Sequence, residues 1–234
     1  MLHCLLVDNQ SYVEDVRVTA AAPTNRHRER SELSTRRLLE AAGDLIVEGG
    51  YEAMTLAAVG ERAGYSRGLV TARFGSKDQL LKALVERIID RWNHRNVLPR
   101  TAGASGRASI AILIGAIAEQ MERDPSDVGV LYALMFEALR PIPELRSTFV
   151  DFHATMRADL ASLVRKGLRD GSVAPGTSPA KEAALIVAGL RGIGYQWRLD
   201  PDGFDPLPAL RHLVSTTESR LRGGPAVRGA SPAR

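Results

Sequence analysis

A chain of 234 residues, 44% hydrophobic and 25% charged, has the composition of a soluble globular protein long enough to bury a sizeable core. No run of eighteen apolar residues exists, which excludes a membrane-spanning helix, and the single cysteine, Cys4, excludes an internal disulfide and fits a reducing cytoplasm. A net charge of +4 permits a nucleic-acid partner without demanding one. Its basic residues are arginines but for Lys77, Lys82, Lys166 and Lys181, so arginine by itself is no functional signal here.

Residues 1–30 show no sustained periodicity and read as a disordered arm, with a linker around Ala22-Pro23. MLHCLLV is too short, and lacks the basic start, for a signal peptide. Arg26, Arg28, Arg30, Arg36 and Arg37 follow, opposed by Glu29 and Glu32. They form either a solvated lead-in or an arm that reaches phosphate or the minor groove. Helix one is expected over about 32–48, where Leu38, Ala41, Ala42, Leu45 and Ile46 make an apolar stripe that Gly49-Gly50 ends.

The next stretch, TLAAVGERAGYSRGLVTARFGSK over 55–77, carries the most information. Thr55 is placed to cap a short helix, Gly64 to stop it, and Ser66 to cap a second one over about 66–73. Val70 and Phe74 point inward, leaving Arg67, Leu69, Thr71 and Arg73 on the outer surface. Ser76 to Gln79 has the form of a capping box and opens a fourth helix, apolar from Leu80 to Trp92. Two short helices joined in this way have helix-turn-helix geometry, in which the second lies in the DNA major groove. A plain αα corner would give the same spacing.

Residues 97–107 read as a linker into a second helical region. Helices are expected over 109–123, over 126–140, over 144–170, from Ser178 to about Leu199, and from Asp205 onward. The helix after Ser178 is apolar on two faces: Ala183, Ile186, Val187 and Leu190 turn one way, and Leu185, Ala188, Gly189 and Gly192 another. One face meets its own core and the other suits a second subunit. Residues 223–234 have the composition of a disordered tail. The fold class is therefore all-α, with about nine helices: a DNA-binding domain over 31–96 and a helical effector-binding and dimerisation domain over 97–222.

The residues go further than the spacing. TRRLLEAAGDLIVEGGYEAMT over 35–55, with VGERAGYSRGLVTARFGSKDQLLKAL over 59–84, resembles the DNA-binding domain of the tetracycline-repressor (TetR) family of bacterial regulators. The likeness is long and ungapped over about 33–92, and one of layout beyond. The family usually has an aromatic that contacts phosphate where Thr71 stands, and His or Tyr where Arg73 stands. Here Thr71 offers a shorter hydrogen bond and Arg73 a charge.

The resemblance implies a ligand-responsive repressor that acts as a homodimer, through about 178–222, on a double-stranded, pseudo-palindromic operator. Its DNA-binding residues would be Thr55, Ser66, Arg67, Gly68, Leu69, Thr71, Arg73 and Lys77. A small, mostly apolar effector would meet Tyr132, Met135, Phe136, Phe149, Phe152, His153, Met156 and Tyr195. The sequence carries no catalytic, metal or cofactor signature, so no enzyme is expected. An activator or orphan DNA binder of the same fold, and a helical protein that binds no DNA, are the alternatives.

Overall fold

The computed structural model describes residues 25–222, with side chains from Glu29 onward; the expected arm over 1–24 and tail over 223–234 lie outside the described residues. The described residues form helices joined by turns and loops, with no strand among them: α1 (Asn25–Ala53), α2 (Leu56–Ala63), α3 (Arg67–Phe74), α4 (Lys77–Trp92), a π-helical turn (Asn93–Val97), α5 (Leu98–Thr101), α6 (Gly106–Arg123), α7 (Ser126–Glu137), α8 (Pro143–Asp170), α9 (Pro179–Leu199) and α10 (Pro206–Arg222). Counting α4, the π turn and α5, which follow one another without a gap in the chain, as one element gives nine helices among the described residues. None is long and apolar enough to cross a membrane.

α1 begins at Asn25 rather than near 32, and the expected stop at Gly49-Gly50 is a break. Gly50 adopts φ 74°, ψ −175°, and only a short turn to Ala53 follows. Three of the caps expected from the sequence are present, whereas Ser178, expected to cap α9, makes no side-chain capping hydrogen bond and leaves the first turn to Pro179. Thr55 Oγ1 accepts from the Ala58 amide at 3.1 Å, Ser66 Oγ from Leu69 at 3.2 Å, and Ser76 Oγ from Gln79 at 3.2 Å. Gly64 closes α2 in the left-handed conformation, at φ 76°.

The chain folds into two compact units. Among the described residues, one comprises 25–93 together with Asp124–His153, and the other His94–Arg123 together with 154–222. α7 therefore folds with the N-terminal helices, a grouping that reading along the chain does not provide. The core of the first unit is continuous from Leu38 and Ile46 of α1, through Val59, Val70 and Leu81, to Leu134 of α7 and Phe149 of α8. At about 25 cal/mol per Å² of apolar surface removed from water, this burial is what holds eight-residue helices such as α2 and α3, which are too short to be stable alone. Arg91 of α4 and Asp127 of α7 form an ion pair in the same unit.

In the second unit α6 runs beside α10, and α10 beside α9. Gly189 is half-buried against Leu213 of α10, where an added Cβ would lie 2.8 Å from Leu213 Cδ1. It belongs to an intrachain contact rather than to the outward face assigned to it from the sequence. The start of α6 is capped from outside the helix: Asp170, at the end of α8, accepts from the Gly106 amide at 2.8 Å. The Ser172 side chain first, then the amides of Gly106 and Ser172, hold the Asp170 carboxyl below the usual carboxylate range. A carboxyl depressed on folding stabilises the fold above its unfolded pKa, and that contribution disappears as pH falls through the folded value. Asp170→Asn is thus expected to flatten the acid limb of melting temperature against pH. A melting curve displaced equally at every pH would show that the charge is not involved.

Candidate nucleic-acid interface

α3 is held by its apolar side and open on the other. Val70 is fully buried, and Phe74 half-buried, in the core of the first unit. Ser66, Arg67, Gly68 and Thr71 are exposed, and Leu69 is half-buried. α2 is set close against the start of α3: a Cβ added at Gly60 would lie 2.9 Å from Tyr65 O and 3.2 Å from the Arg67 amide. That glycine fixes the crossing of the two helices, as the sequence suggests. A bidentate ion pair from Arg62 Nη1 and Nη2 to the Glu48 carboxylate, at 2.9 and 2.7 Å, ties α2 to α1. Each partner favours the other's charged form, which raises the Arg62 pKa and lowers that of Glu48.

Of the eight residues expected at DNA, Thr55, Ser66, Arg67, Gly68 and Thr71 are exposed. Lys77 is engaged within the protein. Its Nζ lies 3.8 Å from the centre of the Tyr51 ring and 3.1 Å from Glu52 Oε2. Arg73 is half-buried and donates to α1. Its Nη1 reaches Ser31 Oγ at 2.7 Å, Thr35 Oγ1 at 2.6 Å and Ser31 O at 3.1 Å, and its Nη2 reaches Ser34 Oγ at 3.3 Å.

Two features were not read from the sequence. The first is the hydroxyl set on α1. Its signal was present, because the apolar stripe at 38, 41, 42, 45 and 46 continues backward through 31, 34 and 35, where apolar residues give way to Ser31, Ser34 and Thr35. Hydroxyls on an inward stripe call for a polar partner. The second is Glu137. Its Oε1 accepts from the Tyr51 amide at 2.8 Å, at the break in α1. Eighty-six residues separate the two, and no local pattern announces the pairing.

The residues expected at an effector divide between the units. Tyr132 and Phe136 of α7 pair with ring centres 6.4 Å apart, while Phe149 and Phe152 of α8 meet edge-on at 6.0 Å. His153 stands edge-on to Phe152 at 5.4 Å, and its Nδ1 is 2.7 Å from the Phe149 carbonyl. These residues and Met135 belong to the first unit. Phe149 and Phe152 are buried members of its core, and Met135 packs against it. Tyr132 and Phe136 lie about half a turn from the core-facing Val130, Leu134 and Ala138. Met156 and Tyr195 belong to the second unit. Met156 Sδ lies 3.1 Å from Arg191 Nη2, and Tyr195 is 49% exposed on α9.

Residues 38–84, which contain this interface, match the model of the bacterial regulatory proteins of the tetR family, and residues 107–222 match the C-terminal model of BetI-type transcriptional repressors. The chain belongs to the tetR family. It is 25% identical to the regulator TtgR of Pseudomonas putida over 87% of this chain and 98% of that protein. It is also 25% identical to the regulator BetI of Paraburkholderia phytofirmans, over 77% of this chain and 89% of that one. A solved TetR-family regulator from Rhodococcus sp. shares the fold with a TM-score of 0.69, at 21% identity, over 80% of this chain and 99% of that one. This TetR-family chain is thus a ligand-responsive, DNA-binding transcriptional regulator and not an enzyme. Regulators of the family bind DNA operators and small-molecule effectors and act as dimers, typically as repressors.

Proposed function

We propose that the chain is a homodimeric cytoplasmic repressor, released from a pseudo-palindromic operator by a small, mostly apolar effector. The observation that carries this reading is the exposed edge of α3, where Arg67, Gly68 and Thr71 stand clear of a helix anchored by buried Val70. In this reading α3 enters the major groove, and Arg67, in its first turn, reaches a base edge or a phosphate. Thr55, Ser66 and Thr71 offer hydroxyls to the backbone, and Leu69 an apolar edge.

Dimerisation through about 178–222 is supported by the outward stripe of α9. Leu185, Tyr195 and Leu199 are 52%, 49% and 70% exposed, and Ala188 and Gly192 lie exposed between them. An apolar stripe of this kind suits burial against a second copy. A two-fold dimer presents its recognition helices to half-sites about 34–36 Å apart or a multiple of that. Tyr195 is better placed in this interface than against an effector. The effector reading rests on the aromatic pairs Tyr132–Phe136 and Phe149–Phe152, with His153 as a polar anchor.

Arg67→Ala is expected to weaken binding to the DNA upstream of the protein's own gene by about 10- to 100-fold, the worth of a good base contact. The check is a binding titration against that duplex and a scrambled one. Equal affinity of wild type and variant for both duplexes would rule out α3 as the reading head.

A further inference from the structure

Arg73 stands in the recognition helix and yet points away from its exposed edge. Its two terminal nitrogens meet four oxygens of α1: Ser31 O, Ser31 Oγ, Ser34 Oγ and Thr35 Oγ1. The acceptors are ordered for the task. Ser34 Oγ and Thr35 Oγ1 each donate to Ser31 O, at 2.9 Å, which leaves their lone pairs for the guanidinium. Ser34 is 7% exposed, so this is a built internal contact and not a surface ion cloud. Arg73 also lies in the last turn of α3, where a cation is favoured by the helix dipole.

We propose that Arg73 is a positioning residue. It fixes the end of the recognition helix to the first helix through three hydroxyls, and it acts on DNA affinity by setting the angle of α3 rather than by touching a phosphate. The inference rests on the DNA-binding reading of α3. It also gives Ser31, Ser34 and Thr35 a role, and it links the helix that begins with the arginine-rich lead-in to the reading head.

The test uses the full chain and a duplex enriched by wild type from a random-sequence pool, with a scrambled duplex beside it. The variants are Arg73→Ala, Ser31→Ala with Thr35→Val, and all three together. The salt dependence of affinity is measured for each, and circular dichroism confirms helix content. The expected result has three parts. Arg73→Ala and the hydroxyl double variant each lose about tenfold on the selected duplex, and their combination loses no more than either. The preference for the selected over the scrambled duplex narrows. The slope of log affinity against log salt is unchanged.

A direct phosphate contact predicts the opposite: both duplexes weaken equally and the slope falls by about one. That result, or independent losses that add, overturns the proposal. So does a folded Arg73→Ala or hydroxyl variant with wild-type affinity and preference, which would make the contact merely structural. If Arg73→Ala fails to fold, the hydroxyl variant carries the same decision. If wild type enriches no duplex at all, the DNA-binding reading falls and takes this inference with it.

Discussion

Gly106→Ala is expected to lower the melting temperature by about 10 °C, the effect of an overpacking cost of about 3 kcal/mol in a domain of this size. Gly106 opens α6 where it crosses α8. A Cβ there would overlap the Gly167 amide nitrogen and the Leu163 carbonyl oxygen, and would lie 2.6 Å from Gly167 Cα. All three are backbone atoms, so no side-chain rotation relieves the overlap and the helices themselves must part. Parting them also pulls the Gly106 amide from Asp170, and the Arg107 amide from Ser172 Oγ. Gly167→Ala should cost less, because the nearest atom to a Cβ there is a methyl of Val173. Thermal unfolding followed by circular dichroism checks both. A melting temperature within a degree or so of wild type for Gly106→Ala would mean that α6 and α8 do not cross at this point.

Gly50→Ala is expected to destabilise the first unit by about 3 kcal/mol and to weaken DNA binding with it. The backbone there, φ 74° and ψ −175°, belongs to a region that only glycine occupies freely. A Cβ would overlap Glu137 Oε1 and lie 3.3 Å from its carboxyl carbon. Glu137 would have to withdraw, leaving the Tyr51 amide without its acceptor. Tyr51 is 4% exposed, with its ring under Lys77 and its hydroxyl 3.4 Å from Asp78 Oδ1, so a disturbance there reaches the start of α4. Burial, and then the neighbouring Asp78 carboxylate, push the Tyr51 phenol well above its usual range, so it stays neutral. Glu137→Gln keeps an acceptor and loses only the charge, and should cost about 1 kcal/mol. Urea unfolding measures the differences. A Gly50→Ala variant as stable as wild type would show that the break is not held as described.

The helix-turn-helix was legible because its determinants are local. Thr55, Ser66 and Ser76 each cap an amide three residues on, and Gly64 closes its own helix; nothing distant is needed to place them. The apolar stripes of α1 and α4 were legible for the same reason, since a 3.6-residue period is written in the chain itself. Together with the family resemblance they gave the all-α class and the helix-turn-helix.

What only the tertiary structure decided lies where residues far apart in sequence must meet. The outer position assigned to Arg73 followed from helical spacing, which says which side a residue leaves but not whether another helix covers it. α1 supplies that cover with Ser31, Ser34 and Thr35. Gly189 was read as part of an outward face because small residues mark close approach without naming the partner, and the partner proved to be Leu213 of the same chain. Glu137 gave no sign of its role, because a carboxylate on a helix looks alike in sequence whether it meets solvent or an amide 86 residues away. Capping and periodicity are properties of a few consecutive residues and survive in sequence; the choice of partner is a property of packing, which the chain specifies only as a whole.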